Sequence, residues 1–178
     1  METNIEELEY RMYGFVPYNL SEIQKGIQFG HAVVEYGQYV KNLQPFEKMY
    51  TKWANHDKTF IILNGGTTNT NPDRFGSLNE HRNIIMLNGV LVASFKEPDL
   101  GDQLTAFVFL VDERVYNKVK YPDYKPLPPY WDDDKEPSLD LYLKWDSDNE
   151  LARHDWIESI GGAENDFLRE YLVGKRLA

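Results

Sequence analysis

The run from Leu104 to Val111 (Leu-Thr-Ala-Phe-Val-Phe-Leu-Val) carries one polar residue, Thr105. A strand that is apolar on both alternating faces must be covered on both faces. This segment therefore predicts the interior strand of a sheet with helices above and below it. The preceding residues supply the neighbours. Residues 11–18, 59–63 and 90–95 are short runs rich in aromatic, β-branched and aliphatic types and read as strands. Ser21 with Gln24 forms a capping box that opens a helix running to about Asn42, and Pro45 blocks its continuation. A second helix over 46–55 carries Phe46, Met49, Tyr50 and Trp53 at helical spacing. Ser77 with Glu80 forms another capping box for a helix over 78–87, ended by Asn88-Gly89. The order β-α-α-β-α-β-β predicts a three-layer α/β fold with a four-stranded mixed sheet and helices on both faces. The short Lys96–Gln103 connection makes the last two strands either antiparallel neighbours or partners through a looping link.

Beyond about residue 120 the pattern changes. Pro122, Pro126, Pro128 and Pro129 lie among Tyr121, Tyr124, Tyr130 and Trp131. Prolines hold the chain extended, and the aromatics demand contacts, so this is an extended, packed arm. Asp132-Asp133-Asp134 reads as a charged face in water. Ser147 is expected to cap a helix over 148–160 that Gly161-Gly162 ends, and a last helix over 163–173 carries Phe167, Leu168, Tyr171 and Leu172. The chain thus divides into a core over 1–120 and a helical extension over 121–178 packed on it.

Charge and composition narrow the function. The net charge is −10, and the acidity is concentrated in the extension: residues 1–120 hold 12 Lys/Arg against 15 Asp/Glu, and residues 121–178 hold 7 against 14. Such a field repels phosphate backbones and disfavours extended nucleic acid as a partner. There is no cysteine, hence no disulfide framework and no thiolate nucleophile or ligand. No apolar run approaches the ~18 residues of a membrane span. The acidic stretch Met1–Glu9 lacks the pattern of a secretory signal, so a cytoplasmic location is expected. No metal and no cofactor are expected.

Three places carry candidate chemistry. At about 100° per residue, the first long helix puts Ile23, Ile27, Gly30, Val33, Val34, Gly37 and Val40 on one face, expected to pack on the sheet. Gln24, Gln28, His31 and Glu35 form a polar ridge beside it, placed either to line a cleft or to satisfy one another and nearby backbone. The loop Asn64-Gly65-Gly66-Thr67-Thr68-Asn69 follows a strand, and its glycines allow backbone N–H groups to converge on an anion, or simply make a turn. Glu97-Pro98-Asp99-Leu100-Gly101-Asp102 holds three carboxylates, either solvated or available to a cation or as a general base.

At Leu20–Ala32, with Gln28-Phe29-Gly30-His31-Ala32, the sequence resembles the type 2 peptidyl-tRNA hydrolases, which carry Gln-x-x-His-Ala in their opening helix. A second similarity lies in Phe95–Val111, where Asp99-Leu100-Gly101 and Thr105 lead into an apolar strand. The resemblance spans roughly residues 11–115. The two lysine positions of the family align with Glu22 and Gln24 here, Lys25 falls on another helix face, and the aspartate-to-threonine segment is shorter. The resemblance implies the same mixed-sheet fold and a hydrolase acting on an ester or amide linked to a nucleotide. His31 with Glu35 would act as base and orienter, or Asp99 as base. Gln24, Gln28 and Thr105 would contact substrate, and Gly65, Gly66 and Thr67 would hold a phosphate or oxyanion. The whole chain also resembles small proteins of tailed bacteriophages in its Ile-Gln-Lys-Gly-Ile-Gln stretch, its Asn-Gly-Gly-Thr loop and its Arg-Leu-Ala end, which implies a host-cell cytoplasm. The alternative is a non-catalytic accessory protein that binds a host protein or a small nucleotide, its acidic extension meeting a basic partner or a second copy. Under the hydrolase reading, His31 and the Gly65-Gly66 turn are expected to line one hollow.

Overall fold

A computed structural model of the chain describes residues 7–69, 71, 76–132, 134 and 136–178. Asp133 of the aspartate run and residues 1–6 of the acidic start lie outside them. The chain forms two units, residues 1–113 with 172–178, and residues 114–171.

The first unit is built on β1 (Tyr10–Val16), β2 (Thr59–Asn64), β3 (Ala93–Glu97) and β4 (Gln103–Asp112), in the spatial order β2-β1-β4-β3. β1 pairs with β2 in parallel, whereas the β1–β4 and β3–β4 pairs are antiparallel, so the sheet is mixed. The last two strands are antiparallel neighbours through a 3₁₀ turn at Pro98–Leu100, closed by Gly101 at φ +67°. β4 is interior and buried at every residue from Leu104 to Asp112, as its apolar run requires.

Helices α1 (Glu22–Val40) and α2 (Phe46–Lys52) pack on one face of the sheet, and α3 (Ser77–Leu87) on the other. Met12, Ala106, Val108 and Leu110 meet Phe29, Ala32, Val33, Tyr36 and Val40 of α1, joined by Trp53. On the opposite face Phe15 stacks on Phe107 at 5.1 Å and on His81 of α3 at 5.0 Å, with Leu78 and Ile85 fully buried. Each large side chain buried in this way contributes about 1.5–3 kcal/mol. Gly14 sets how closely α1 approaches the sheet. A Cβ there would lie 2.5 Å from the Phe107 carbonyl oxygen and 2.7 Å from the Phe29 ring.

The buried face of α1 differs from the expectation. Val33 and Val40 are inside, but Ile23, Ile27 and Val34 are 77%, 48% and 60% exposed. The sheet side is occupied instead by the row Phe29, Ala32, Tyr36. An aromatic side chain buries ~150–250 Å², so two of them on one stripe outweigh the aliphatics on the neighbouring one and set the helix rotation.

Local signals succeeded where they were self-contained. The Ser21–Gln24 capping box is formed, both halves present. At α3 the expected box is absent: Gly76 is the N-cap, and the Ser77 hydroxyl donates to the Gly65 carbonyl at 2.9 Å. β3 starts at Ala93, three residues later than its apolar run. α2 passes into a π turn at Trp53–Asp57, and Lys58 turns left-handed. Residues of the C-terminal segment lie along the outer edge of β2. Asn64 N–H donates to the Arg176 carbonyl at 2.9 Å, and Ala178 N–H to the Ile62 carbonyl at 3.0 Å, covering part of an otherwise open edge.

The second unit holds α4 (Glu113–Tyr116, entering from β4), the proline-rich arm, α5 (Leu139–Ser159) and α6 (Ala163–Tyr171). α5 begins at Ser138, whose hydroxyl accepts from Leu141 N–H, and not at Ser147, which is interior to the helix. Within that polar stretch Asn149 donates its side-chain amide to the Trp145 carbonyl one turn back at 3.0 Å. Gly161 and Gly162, at φ +97° and +99°, end α5. Arg169 of α6 is 3% exposed and bonds the carbonyls of Arg114 and Tyr121 as well as Asp123, with its guanidinium 5.5 Å from the Trp156 ring. Among the described residues, no helix is long and apolar enough to cross a membrane.

Candidate functional site

Because β1 is parallel to β2 and antiparallel to β4, one rim of the sheet gathers the carboxyl ends of β1, β2 and β3, the amino ends of α1 and α3, and the start of β4. In open α/β sheets this is the rim where ligands sit.

One polar group at this rim is centred on Gln28. The β3–β4 register shifts between Phe95 and Lys96, pairing Phe95 with Ala106 and Lys96 with Leu104, so Thr105 is the extra residue of a β-bulge. Strict alternation would point Thr105 to the α3 face with Phe107. The bulge turns it to the α1 face instead. There Thr105 Oγ1 donates to Gln28 Oε1 at 2.6 Å, and Gln28 Nε2 donates to Glu97 Oε2 at 2.7 Å. Thr105 is 1% exposed and Gln28 half-buried. The hydroxyl fixes which way the Gln28 amide faces. Glu97 takes one of its two amide hydrogens, and among the described residues the other has no protein acceptor.

His31 lies one turn along α1 from Gln28 and is solvent-exposed, its ring edge-on to Phe95 at 4.4 Å. Glu35, another turn on, is exposed, and no hydrogen bond or ion pair joins it to His31 among the described residues. Asp99 stands exposed in the 3₁₀ turn after β3. Gln24 is held in the capping box, where its carbonyl accepts from the Ser21 backbone at 3.1 Å. Lys25 pairs with Glu22 at 3.0 Å, its side chain only 11% exposed.

The Gly65-Gly66 turn lies farther along the same rim. It follows β2, on the sheet edge opposite β3, and across ~4.8 Å per strand spacing it is ~14 Å from the strand that His31 overlies. Its amides are engaged: Gly65 N–H donates to the Val16 carbonyl, Gly66 N–H to Asn64 Oδ1 at 2.8 Å, and Thr67 N–H to Ser77 Oγ at 3.0 Å. The glycines are needed for close packing on α3, since a Cβ on Gly65 would lie 2.4 Å from Leu78 and one on Gly66 2.1 Å from the Ser77 hydroxyl oxygen. Only the far end of the loop reaches across the sheet, where Thr68 Oγ1 donates to the Leu104 carbonyl at 2.6 Å. His31 and the diglycine turn thus stand toward opposite edges of the sheet. A hollow of about 760 Å³ borders α2 and the π turn between Gln44 and His56, and none of the candidate residues lines it.

Two further groups stand out. Burial, the nearby Lys175 charge second, holds the half-buried His81 imidazole below its usual value, with Glu80 opposing. Burial raises the Tyr36 hydroxyl strongly. Phe95 and Glu97 complete the Gln28 group but carried no signal linking them to it. Glu97 lies 69 residues from Gln28, and a bulge leaves no mark in the hydrophobic pattern. Among the described residues, no group of three or more His, Asp or Glu is placed to hold a metal ion.

No protein-family model matches the sequence, and no curated protein matches it significantly.

Proposed function

We propose that this chain is a peptidyl-tRNA hydrolase-like α/β protein that hydrolyses an ester or amide linked to a nucleotide at the α1–β3–β4 rim. The observation that supports this reading is the 2.6 Å bond between Thr105 and Gln28. It joins, across 77 residues of chain, the two segments on which the resemblance rests. In this reading the unpaired Gln28 amide hydrogen polarises the scissile carbonyl, and His31 takes a proton from the attacking water. Thr105 and Glu97 act as positioning residues for Gln28. Glu22, Glu97, Asp99 and Asp102 outnumber Lys25 and Lys96 at this rim, so the contacts belong to the acyl side of the substrate and not to its phosphates. The Gly65-Gly66-Thr67 turn serves the fold. The test is release of peptide from peptidyl-tRNA, and of amino acid from a short aminoacyl-nucleotide ester, by the purified protein and by His31→Ala. Turnover on either substrate that falls at least tenfold in the variant supports the reading, and no release from either substrate ends it.

A second reading, a non-catalytic binding protein for a host protein or small nucleotide, is favoured by the exposure of Ile23, Ile27 and Val34 on the outer side of α1. Exposed aliphatics on one helix are a contact surface more readily than a reaction site. Under this reading the same assays show no turnover, and Ile27→Asp abolishes binding of a candidate partner without unfolding the chain.

A further inference from the structure

The second unit contains a surface that reads an extended chain. Pro122, Pro126, Pro128 and Pro129 fix their own φ and push the residues before them into extended conformations, so the arm is a polyproline-type segment. It lies antiparallel along α5. Trp156 Nε1 donates to the Pro122 carbonyl at 3.0 Å, and Trp145 Nε1 to the carbonyls of Leu127 and Pro128 at 3.2 and 3.1 Å. Between them, Asn149 Oδ1 accepts the Leu127 N–H at 2.7 Å. The rings of Tyr124 and Trp131 pack on Trp156 and Trp145, at 5.9 and 5.4 Å. The two repeats match in length. Six residues of polyproline-type chain from Pro122 to Pro128 rise ~19 Å, and eleven residues of helix from Trp145 to Trp156 rise ~17 Å.

The polar contacts from Trp145, Trp156 and Asn149 to Pro122, Leu127 and Pro128 all go to main-chain atoms of the arm. They therefore select an extended backbone free of intrachain bonds, the principle by which aromatic grooves recognise proline-rich peptides. No residue of α5 is fully buried, so arm residues 124–131 leave the helix without opening a core, while Arg169 keeps Tyr121 and Asp123 in place. The surroundings are acidic, with 8 Lys/Arg against 14 Asp/Glu over residues 114–171.

We propose that this face of α5 is a docking surface for an extended, basic, proline-rich peptide of a partner protein, and that the chain's own arm is the resident competitor. The acidity selects a basic ligand and disfavours a second copy of this acidic chain. The tether gives the arm an effective concentration in the millimolar range, so a free peptide binds the intact protein weakly and gains when the arm is loosened.

The test uses the full-length ¹⁵N-labelled chain and a synthetic peptide with the sequence of residues 124–131 followed by two lysines, which leaves the Arg169–Asp123 pair untouched. The indole N–H resonances of Trp145 and Trp156 report the site. The expected result is that both shift on titration, that the Pro126→Ala/Pro128→Ala/Pro129→Ala variant binds at least tenfold more tightly than wild type, and that added salt weakens binding. In the arm-loosened background Trp145→Phe, which keeps a ring but removes the donor, is expected to lose at least fivefold in affinity, with circular dichroism establishing that α5 is intact. The proposal is overturned if neither indole moves in the arm-loosened variant at millimolar peptide, if wild type and that variant bind equally, or if loosening the arm yields a dimer that excludes the peptide.

Discussion

Replacing Thr105 by Val isolates the bond that organises the rim. The two side chains have the same shape, so no cavity forms at this 1% exposed position, and the change removes the hydroxyl that bonds Gln28 at 2.6 Å. A neutral intramolecular hydrogen bond contributes about 0.5–1.5 kcal/mol net, and a fully buried orphaned acceptor would cost more. Gln28 is only half-buried and its carbonyl regains water, so the expected loss is about 1–1.5 kcal/mol, a fall of about 2–6 °C in Tm for a chain of this size. Urea unfolding of wild type, Thr105→Val, Gln28→Ala and the double variant closes the cycle, with an expected coupling of about 1 kcal/mol because the pair is in direct contact. The amide of Gln28 is then free to reorient, so substrate turnover falls with Thr105→Val although Thr105 touches no substrate. Strict additivity of the two substitutions, or a Thr105→Val protein as stable as wild type, would refute the geometry on which the site is built.

Other expectations are independent of turnover. Gly14→Ala places a methyl against the Phe107 backbone and the Phe29 ring, and overpacking of this kind lowers stability by about 1–3 kcal/mol, read by thermal unfolding. Arg169→Met removes the buried guanidinium from the part-buried carbonyls of Arg114 and Tyr121. It destabilises the second unit by about 2–4 kcal/mol, read from Trp156 fluorescence in denaturant. His81 is held below its usual value of 6.5, so the unfolded chain binds its proton more readily. Its contribution is complete above about pH 6.5 and is lost as pH falls through the lower folded value. His81→Phe, which keeps the stacking on Phe15, removes that part of the pH dependence of unfolding.

What the sequence announced, and what it did not, divides along the range of the interactions. β4 was legible because its position in the sheet follows from its own eight apolar-run residues, and the Ser21–Gln24 cap because both partners lie within one turn. The rotation of α1 was not, because periodicity ranks Ile23, Ile27 and Val34 with the core, while Phe29 and Tyr36 win by area against strands far away in sequence. Ser77 looks like a cap until the loop before it folds back and takes its hydroxyl. Reading Ser147 alone as the cap misses the start of α5, because the helix begins at Ser138. At the rim, Gln28 and His31 were singled out from the polar ridge of α1 and again from the resemblance, Thr105 from the resemblance, and Gln28 and Thr105 do meet. The Gly65-Gly66 turn has the composition of an anion cradle, but its amides are engaged within the loop and by Val16 and Ser77.

The four histidines are separate reporters, with His31 at the rim and His56, His81 and His154 elsewhere. An NMR titration with a non-hydrolysable aminoacyl-nucleotide analogue therefore tests the location of the site directly. The account predicts that the ring protons of His31 and the side-chain amide of Gln28 shift together and saturably, while the other three histidines stay in place. A saturable response at His56, His81 or His154 with His31 unmoved would contradict it.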